Sequence, residues 1–378
     1  MDLKPSPRSA YIHVPFCARR CGYCNFTLIA DRADLVDRYL DALELEFRSL
    51  PEPQTMDTIF WGGGTPTYLS SAQLDRLLEL THRYLPPASD CEWSCEANPL
   101  DCSADKLKQL RGGGVNRLSL GGQSFDDAKL KMLERDHTSS DLAAALERAR
   151  YCFDNIAVDL IFASPNETID VWLRDIEQTL KHAPQHISTY GLTIEQGAAF
   201  FGRMLRGAVQ PVEESIELQM YLEAIDRLTS AGYEHYEVSN FALPGRQCRH
   251  NEAYWLGRPW LAFGPGAAGF DGRVRTVNHR STTTYIKKIM IGESPVFERE
   301  ELDKEQQFRE RFVFGLRRLE GVDLADLEAG FEIRAEALLE PALSRAVAGG
   351  WLQRDGTWVR LSRSGLVVSD ALWPDFLS

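Results

Sequence analysis

Short runs of apolar residues alternate with longer stretches whose apolar positions recur every three to four residues, and the alternation persists through the first half of the chain. The short runs are Ala10–Val14, Thr58–Trp61, Cys91–Glu96, Arg117–Leu120, Ile156–Ile161 and His186–Leu192, and their length and content are those of strands. Between them, Leu35–Leu50 sets Val36, Tyr39, Leu40, Leu43, Phe47 and Leu50 on one helical face. Ser70 or Ser71 is placed to cap a helix over Leu74–Leu85 and Ser103 to cap the next. Asp126–Leu133, Asp141–Cys152 and Ile169–His182 supply three more. Six strand–helix units predict a parallel α/β sheet with right-handed crossovers. Being fewer than eight, they predict a partial (β/α)6 barrel with one side left for another element or a large substrate.

The pattern changes from about Gln210. Ser215–Ala231 reads as a helix, Tyr233–Phe270 is aromatic and glycine-rich with little helical periodicity, and Asp303–Leu319 is helical again. The last 60 or so residues read helix, helix, hairpin, with Trp351–Arg354 and Thr357–Arg360 flanking Asp355-Gly356, the signal of a type I′ turn. This order predicts a small winged-helix-like α+β domain. The expected organisation is therefore a barrel over 1–232, a connecting region over 233–300 and the small domain over 301–378.

Polar and glycine-rich residues stand just after the strands, where barrels of this kind build their sites. Gly62-Gly63-Gly64-Thr65-Pro66 follows the second strand, Glu96-Ala97-Asn98-Pro99 the third and Gln123 the fourth, while Asp159 interrupts the fifth. After the first strand come Cys17, Cys21 and Cys24, spaced C-x3-C-x2-C. Soft thiolates so close together favour an iron–sulfur cluster or zinc. Three can hold three corners of a 4Fe–4S cubane and leave one iron open to a small molecule. Zinc wants a fourth nearby ligand, and His13 is the only local candidate.

Composition narrows the picture. The chain has 378 residues, 44% apolar and 26% charged, the profile of a globular protein with more than one domain. A net charge of −13 argues against a general nucleic-acid binder or a binder of anionic membranes, and acidic residues outnumber basic ones from Asp303 onward, so DNA is not the expected partner of the small domain. Met1 to Ser9 is polar and unlike a signal peptide, and no apolar run nears the roughly 18 residues of a membrane span, which leaves only peripheral membrane association open. The other cysteines (Cys91, Cys95, Cys102, Cys152, Cys248) follow no disulfide framework, as in a reducing, cytoplasmic setting.

The cysteine loop, the GGGTP turn and the strand-end Glu and Gln together resemble the radical S-adenosylmethionine (SAM) superfamily. The ordered set YIHVPFC, IFWGGGTPTYLS, CEANP, NRLSLGGQSF and CRHNEAYW is similar to the branch that holds the HemW haem chaperones and oxygen-independent coproporphyrinogen III oxidase, over nearly the whole chain. The resemblance implies a 4Fe–4S cluster on Cys17, Cys21 and Cys24, with SAM chelating the fourth iron and a reduced cluster cleaving it to a 5′-deoxyadenosyl radical. It implies Tyr11 near that SAM, with Tyr23 taken alongside as cofactor-binding. Gly63, Gly64 and Thr65 would hold its amino group, the glycines by letting backbone approach closely. Glu96 would accept from ribose hydroxyls, and Gln123, Arg135 and Asp159 match contacts to a second SAM in the oxidase. Gly62–Gly64 can also be a plain turn, Glu96 a surface carboxylate, and Arg135 with Asp159 a structural ion pair.

Two features separate the branches. Phe26 stands where the oxidase has a further cysteine, and only 16 residues precede Cys17 where the oxidase has a long arm. Both point to the chaperones, as does His250-Asn251-Glu252-Ala253-Tyr254-Trp255, an HNxxYW motif. His250 can ligate haem iron, with Cys248 a second candidate, or be a hydrogen-bonded structural histidine. The chain departs from the branch at Ala268, where a histidine is usual, and at Ala163-Ser164, where Gly-Leu is usual. The implied function is a haem chaperone that passes haem to an acceptor protein and draws electrons from a flavodoxin- or ferredoxin-type donor. The alternative is the oxidase's radical decarboxylation of propionates.

Overall fold

All six expected strands form and run parallel: β1 (Ser9–Val14), β2 (Met56–Gly63), β3 (Pro87–Ala97), β4 (Arg117–Gln123), β5 (Ile156–Phe162) and β6 (His186–Gly191). The structure, a computed structural model, describes residues 6–377. β5 is buried on both faces except at Asp159, as a helix-covered parallel strand requires. The crossovers carry α1 (Val36–Phe47), α2 (Ser71–Tyr84), α3 (Ala104–Gly112), α4 (Asp127–Met132), α5 (Ser139–Arg150) and α6 (Ile169–Lys181).

Local chemistry explains their starts. Ser70 and Gln73 form a capping box on α2, Ser103 accepts from the Lys106 N–H at the head of α3, and Thr138 with Asp141 caps α5. On α1 the expected apolar positions Val36, Tyr39, Leu40, Leu43 and Phe47 are buried; so is Glu46, which the apolar pattern did not single out.

The aromatic, glycine-rich region extends the sheet at both edges. β7 (Glu234–Glu237), at the edge, pairs antiparallel with β8 (Asn240–Ala242), which pairs antiparallel with β6. β9 (Trp260–Phe263) lies parallel to β1, with Ser9 opposite Trp260 and Ile12 opposite Phe263. β10 (Ala268–Phe270), β11 (Val274–Asn278) and β12 (Val296–Glu301) follow antiparallel. The order is β12-β11-β10-β9-β1-β2-β3-β4-β5-β6-β8-β7. Of the two occupants expected for the open side, another element or a large substrate, another element takes the side beside β1. HNxxYW opens a helix in this region, α7 (Ala199–Leu205) and α8 (Glu214–Ser230) preceding it, and α9 (Arg249–Trp255) carrying it.

α10 (Thr282–Met290) packs on α1, and the C-terminal unit starts with α11 (Lys304–Arg317), capped by Asp303 and Gln306. Its hairpin forms with a different turn. Leu352 pairs with Leu361 and Asp355 with Trp358, so Gly356-Thr357 are the central residues. Gly356 alone has φ above zero (+59°), the type II′ pattern and not the expected type I′.

Candidate functional site

The cysteine loop leaves β1 through a clasp. Phe16–Cys17 pairs in parallel with Ile29–Ala30, and the Ile29 N–H donates to the Pro15 carbonyl at 2.7 Å. Inside the loop the Arg20 guanidinium donates to the carbonyls of Cys24 (3.2 Å) and Leu28 (2.7 Å). Tyr23 packs against Leu133, Ile161 and Phe200, and a Cβ on Gly22 would stand 2.2 Å from the Phe200 ring. The chain is therefore folded tightly around its own sulfurs. Thr65 Oγ1 lies 3.3 Å from Cys17 Sγ, and Arg135 Nη1 donates to Cys21 Sγ at 3.4 Å. Burial pushes the Cys17 thiol up to about 11 and raises that of Cys24, so metal capture there must release protons.

Among the described residues no three His, Cys, Asp or Glu side chains converge to hold a single metal ion. His13 is no fourth ligand: Nδ1 meets the Tyr11 hydroxyl at 3.0 Å, Nε2 meets the Thr27 carbonyl at 2.6 Å, and burial lowers it to about 4. Three soft sulfurs on one loop, with a hydroxyl and a guanidinium directed at two of them, suit a thiolate-held cluster better than zinc.

The GGGTP turn docks on the first strand's extension. The Gly64 N–H donates to the Val14 carbonyl (2.8 Å) and the Thr65 N–H to that of Phe16 (2.7 Å). Gly63 has φ +104°, and a Cβ there would lie 2.2 Å from the His13 ring; one on Gly64 would lie 2.7 Å from the Val14 and Phe16 carbonyls. On the side where a Cβ would project, both glycines are already in contact with the chain's own ring and carbonyls. Gly62 leaves room for the Glu96 carboxyl, which accepts the Gly63 N–H at 2.9 Å.

Beside this turn lies a cavity of about 200 Å³ lined by Tyr11, Glu96, Arg117, Asp159, Tyr190, His250 and Tyr254 among others. Four of the sequence-nominated residues, far apart in the chain, meet here. Glu96 is not a surface carboxylate: burial, then the charge of Asp159, pushes it up to about 7. Burial likewise raises Asp159, whose carboxylate accepts from Ser119 Oγ at 3.4 Å. The larger depression, about 560 Å³ around Asp75, Leu78 and His82, lies on α2 and touches none of this chemistry.

His250 is 1% exposed and committed at both nitrogens, Nδ1 to Thr58 Oγ1 at 2.8 Å and Nε2 to the Tyr254 hydroxyl at 2.7 Å. Burial holds it near 3, hence neutral. In this arrangement neither nitrogen is left for iron, and the structural reading of the histidine is the one the geometry favours. Cys248, fully buried with its thiol pushed up to about 12, directs Sγ at Glu92. The motif's aromatics pack: Tyr254 on Trp260, ring centroids 4.7 Å apart, and Trp255 under Arg317 at 4.5 Å.

Arg135 turns from Asp159 toward the cysteine loop, with Nη2 on the Gly121 carbonyl (2.8 Å) and Asn98 Oδ1 (3.4 Å) besides its bond to Cys21. The alternative reading of these two residues, a structural ion pair, is not realised: Arg135 and Asp159 form no salt bridge. Gln123 ends β4 with φ +64°, where the β4–β5 register slips. Arg117, 2% exposed with its Nε unpartnered, faces the cavity and was missed as a site residue. An arginine between the apolar residues of a central strand was the signal. Phe26 stands at the loop tip, 67% exposed.

Comparison with known proteins places this geometry. Residues 11–183 match the radical SAM superfamily and residues 302–368 the HemN C-terminal domain. The chain is 36% identical to the haem chaperone HemW of Bacillus subtilis, covering 98% of this chain and 99% of that one. It is 35% identical to HemW of Lactococcus lactis, covering 98% and 97%. The fold matches coproporphyrinogen III oxidase HemN of Escherichia coli, a radical SAM enzyme, with TM-score 0.88 at 23% identity over 98% of this chain and 90% of that one. With relatives at this identity over almost its full length, the chain belongs to the HemW haem-chaperone family of the radical SAM superfamily.

Proposed function

We propose that this protein is a cytoplasmic haem chaperone: it binds haem, carries a 4Fe–4S cluster on Cys17, Cys21 and Cys24 with SAM beside it, and passes haem to an acceptor protein. The observation that carries the reading is the full-length similarity to proteins named haem chaperones. It is supported by the meeting of Tyr11, Glu96 and Asp159 around one cavity next to the glycine turn. When bound, SAM and a reduced cluster supply one-electron chemistry, with electrons from a flavodoxin- or ferredoxin-type donor.

The chain's own residues bind and orient. Cys17, Cys21 and Cys24 ligate the cluster, and Arg135 offsets negative charge at Cys21 while tying its loop to β4. Gly63, Gly64 and Thr65 shape the rim for the SAM amino group, Glu96 accepts from ribose hydroxyls, and Gln123, Arg135 and Asp159 are the residues for a second SAM. Tyr11 lines the cavity beside Glu96, and Tyr23 packs the cysteine loop against Phe200. Residues 1–232 form the barrel in this proposal, 233–300 the connecting region and 301–378 the small domain. His250 holds Tyr254 and Thr58 together. No helix among the described residues is long and apolar enough to cross a membrane.

Haem titration of anaerobically reconstituted protein, followed by transfer to an apo-haem protein, tests the reading. Binding and transfer are expected. Failure to bind haem, or conversion of coproporphyrinogen III to protoporphyrinogen with SAM and reductant, overturns it. Cys17→Ser with Cys21→Ser is expected to abolish the brown cluster absorbance, and its retention refutes the ligand assignment.

A further inference from the structure

β4 and β5 each run out into a residue with a side chain in left-handed backbone: Gln123 (φ +64°) and Ala163 (φ +58°), with Asn166 (φ +63°) in the same turn as Ala163. Such backbone is uphill for any residue bearing a Cβ and persists only where its neighbours over-determine it. Glycine would need no such support at 163.

What over-determines both turns is one buried charge cluster. Ser124 Oγ donates to both oxygens of Asp175, at 2.9 and 2.7 Å, and the Phe125 N–H donates to Oδ1 at 2.6 Å. On the other turn the Ser164 N–H donates to Glu167 Oε2 at 2.9 Å. The Lys129 ammonium joins the two carboxylates, 2.5 Å from Glu167 Oε1 and 2.9 Å from Asp175 Oδ2, and lies 5.2 Å from the Trp172 ring centroid. The three side chains are 4%, 1% and 1% exposed, so water screens none of them. α4 supplies the lysine, α6 the aspartate and the turn after β5 the glutamate. The cluster touches no nominated site residue, yet it grips the residues immediately following Gln123 and Ala163.

We propose that Lys129, Glu167 and Asp175 are positioning residues, a clamp that holds the turns after β4 and β5 in left-handed backbone and so sets the part of the rim where Gln123 meets SAM. The role in SAM binding rests on the reading of Gln123 given above; the clamp itself does not.

A double-mutant cycle separates the two. The ammonium link of the clamp is removed by Lys129→Met with Glu167→Gln in the full chain, and Ala163→Gly is introduced in both backgrounds. Thermal melting of the apo protein reads the clamp without any cofactor. Ala163→Gly is expected to raise the melting temperature of the parent by several degrees more than that of the clamp variant, because only the parent still holds the strained backbone that glycine relieves. Equal shifts in the two backgrounds overturn the proposal. In reconstituted protein of equal iron content, equilibrium dialysis is expected to show about tenfold weaker SAM binding in the clamp variant, partly restored by Ala163→Gly. Undiminished SAM binding there, alongside weakened binding in Gln123→Ala, also overturns it. If Gln123→Ala itself leaves SAM binding unchanged, the reading of Gln123 fails and the apo melting cycle still decides the clamp. Should the double variant not fold, Glu167→Gln alone, which keeps the Lys129–Asp175 pair, enters the same cycle with the same deciding outcomes.

Discussion

Gly63→Ala separates a glycine required by the fold from one required by a ligand. The new Cβ would lie 2.2 Å from the His13 ring, at a backbone φ of +104°. Backbone strain at positive φ costs about 1–2 kcal/mol. The ring cannot retreat freely, because Tyr11 and the Thr27 carbonyl hold its two nitrogens. Giving up one of those buried bonds costs about 1–3 kcal/mol. The sum, about 2–5 kcal/mol, is a large part of a total stability of about 5–15 kcal/mol. In a chain of this size it corresponds to a fall in melting temperature of about 4–10 °C. Differential scanning calorimetry of the apo protein measures it. Adding His13→Ala opens the space and is expected to recover part of the loss, a coupling of about 1–3 kcal/mol between the two sites. Melting of Gly63→Ala within about 2 °C of the parent, together with a loss of SAM affinity, would refute the argument and return the space to the ligand.

Other consequences can be checked directly. Glu46, buried, accepts from the Gly264 N–H, Asn278 and Tyr285, and burial raises it to about 7. Its folded-state value lies above the unfolded one, so its contribution is complete below about pH 4.5 and is lost as pH rises through about 7. Glu46→Gln should therefore flatten stability between pH 5 and 8 by up to about 3 kcal/mol, measured by urea unfolding, and an unchanged slope refutes the assignment. Arg135→Gln removes the bonds to Gly121 and Cys21 and is expected to lower the iron and sulfide retained per chain after reconstitution, whereas full loading would mean the guanidinium does nothing for the loop. His250→Ala strands Thr58 and Tyr254 and should cost about 2–4 kcal/mol of stability while haem affinity stays within about twofold; a tenfold loss in the haem titration would restore the histidine as an iron ligand.

Much of this molecule was legible because its signals are local. Strand and helix periods show within a dozen residues, and capping residues sit three positions from the N–H groups they meet, so the parallel order and the starts of α2 and α3 followed from the chain alone. The three cysteines and the glycine turn are contiguous motifs and read the same way. The turn of the C-terminal hairpin did not, because Asp355 is drawn into the ladder opposite Trp358 and the bend moves one residue on. Nor did the glycine-rich region, whose strands are too short to stand alone and form only by joining edges the barrel already offers.

By itself, then, the sequence determined the alternation of elements, the sulfur donors and the family to which they belong. Tertiary structure alone decided which neighbour each polar side chain met. Thr58 and His250 are 192 residues apart, Gly264 and Glu46 218, and Lys129 and Asp175 46. No periodicity spans such separations. Which buried histidine stays neutral, which glutamate is held by three donors and which glycine makes room for the chain's own ring are settled by desolvation and close packing, and these act only once the sheet has brought the strands side by side.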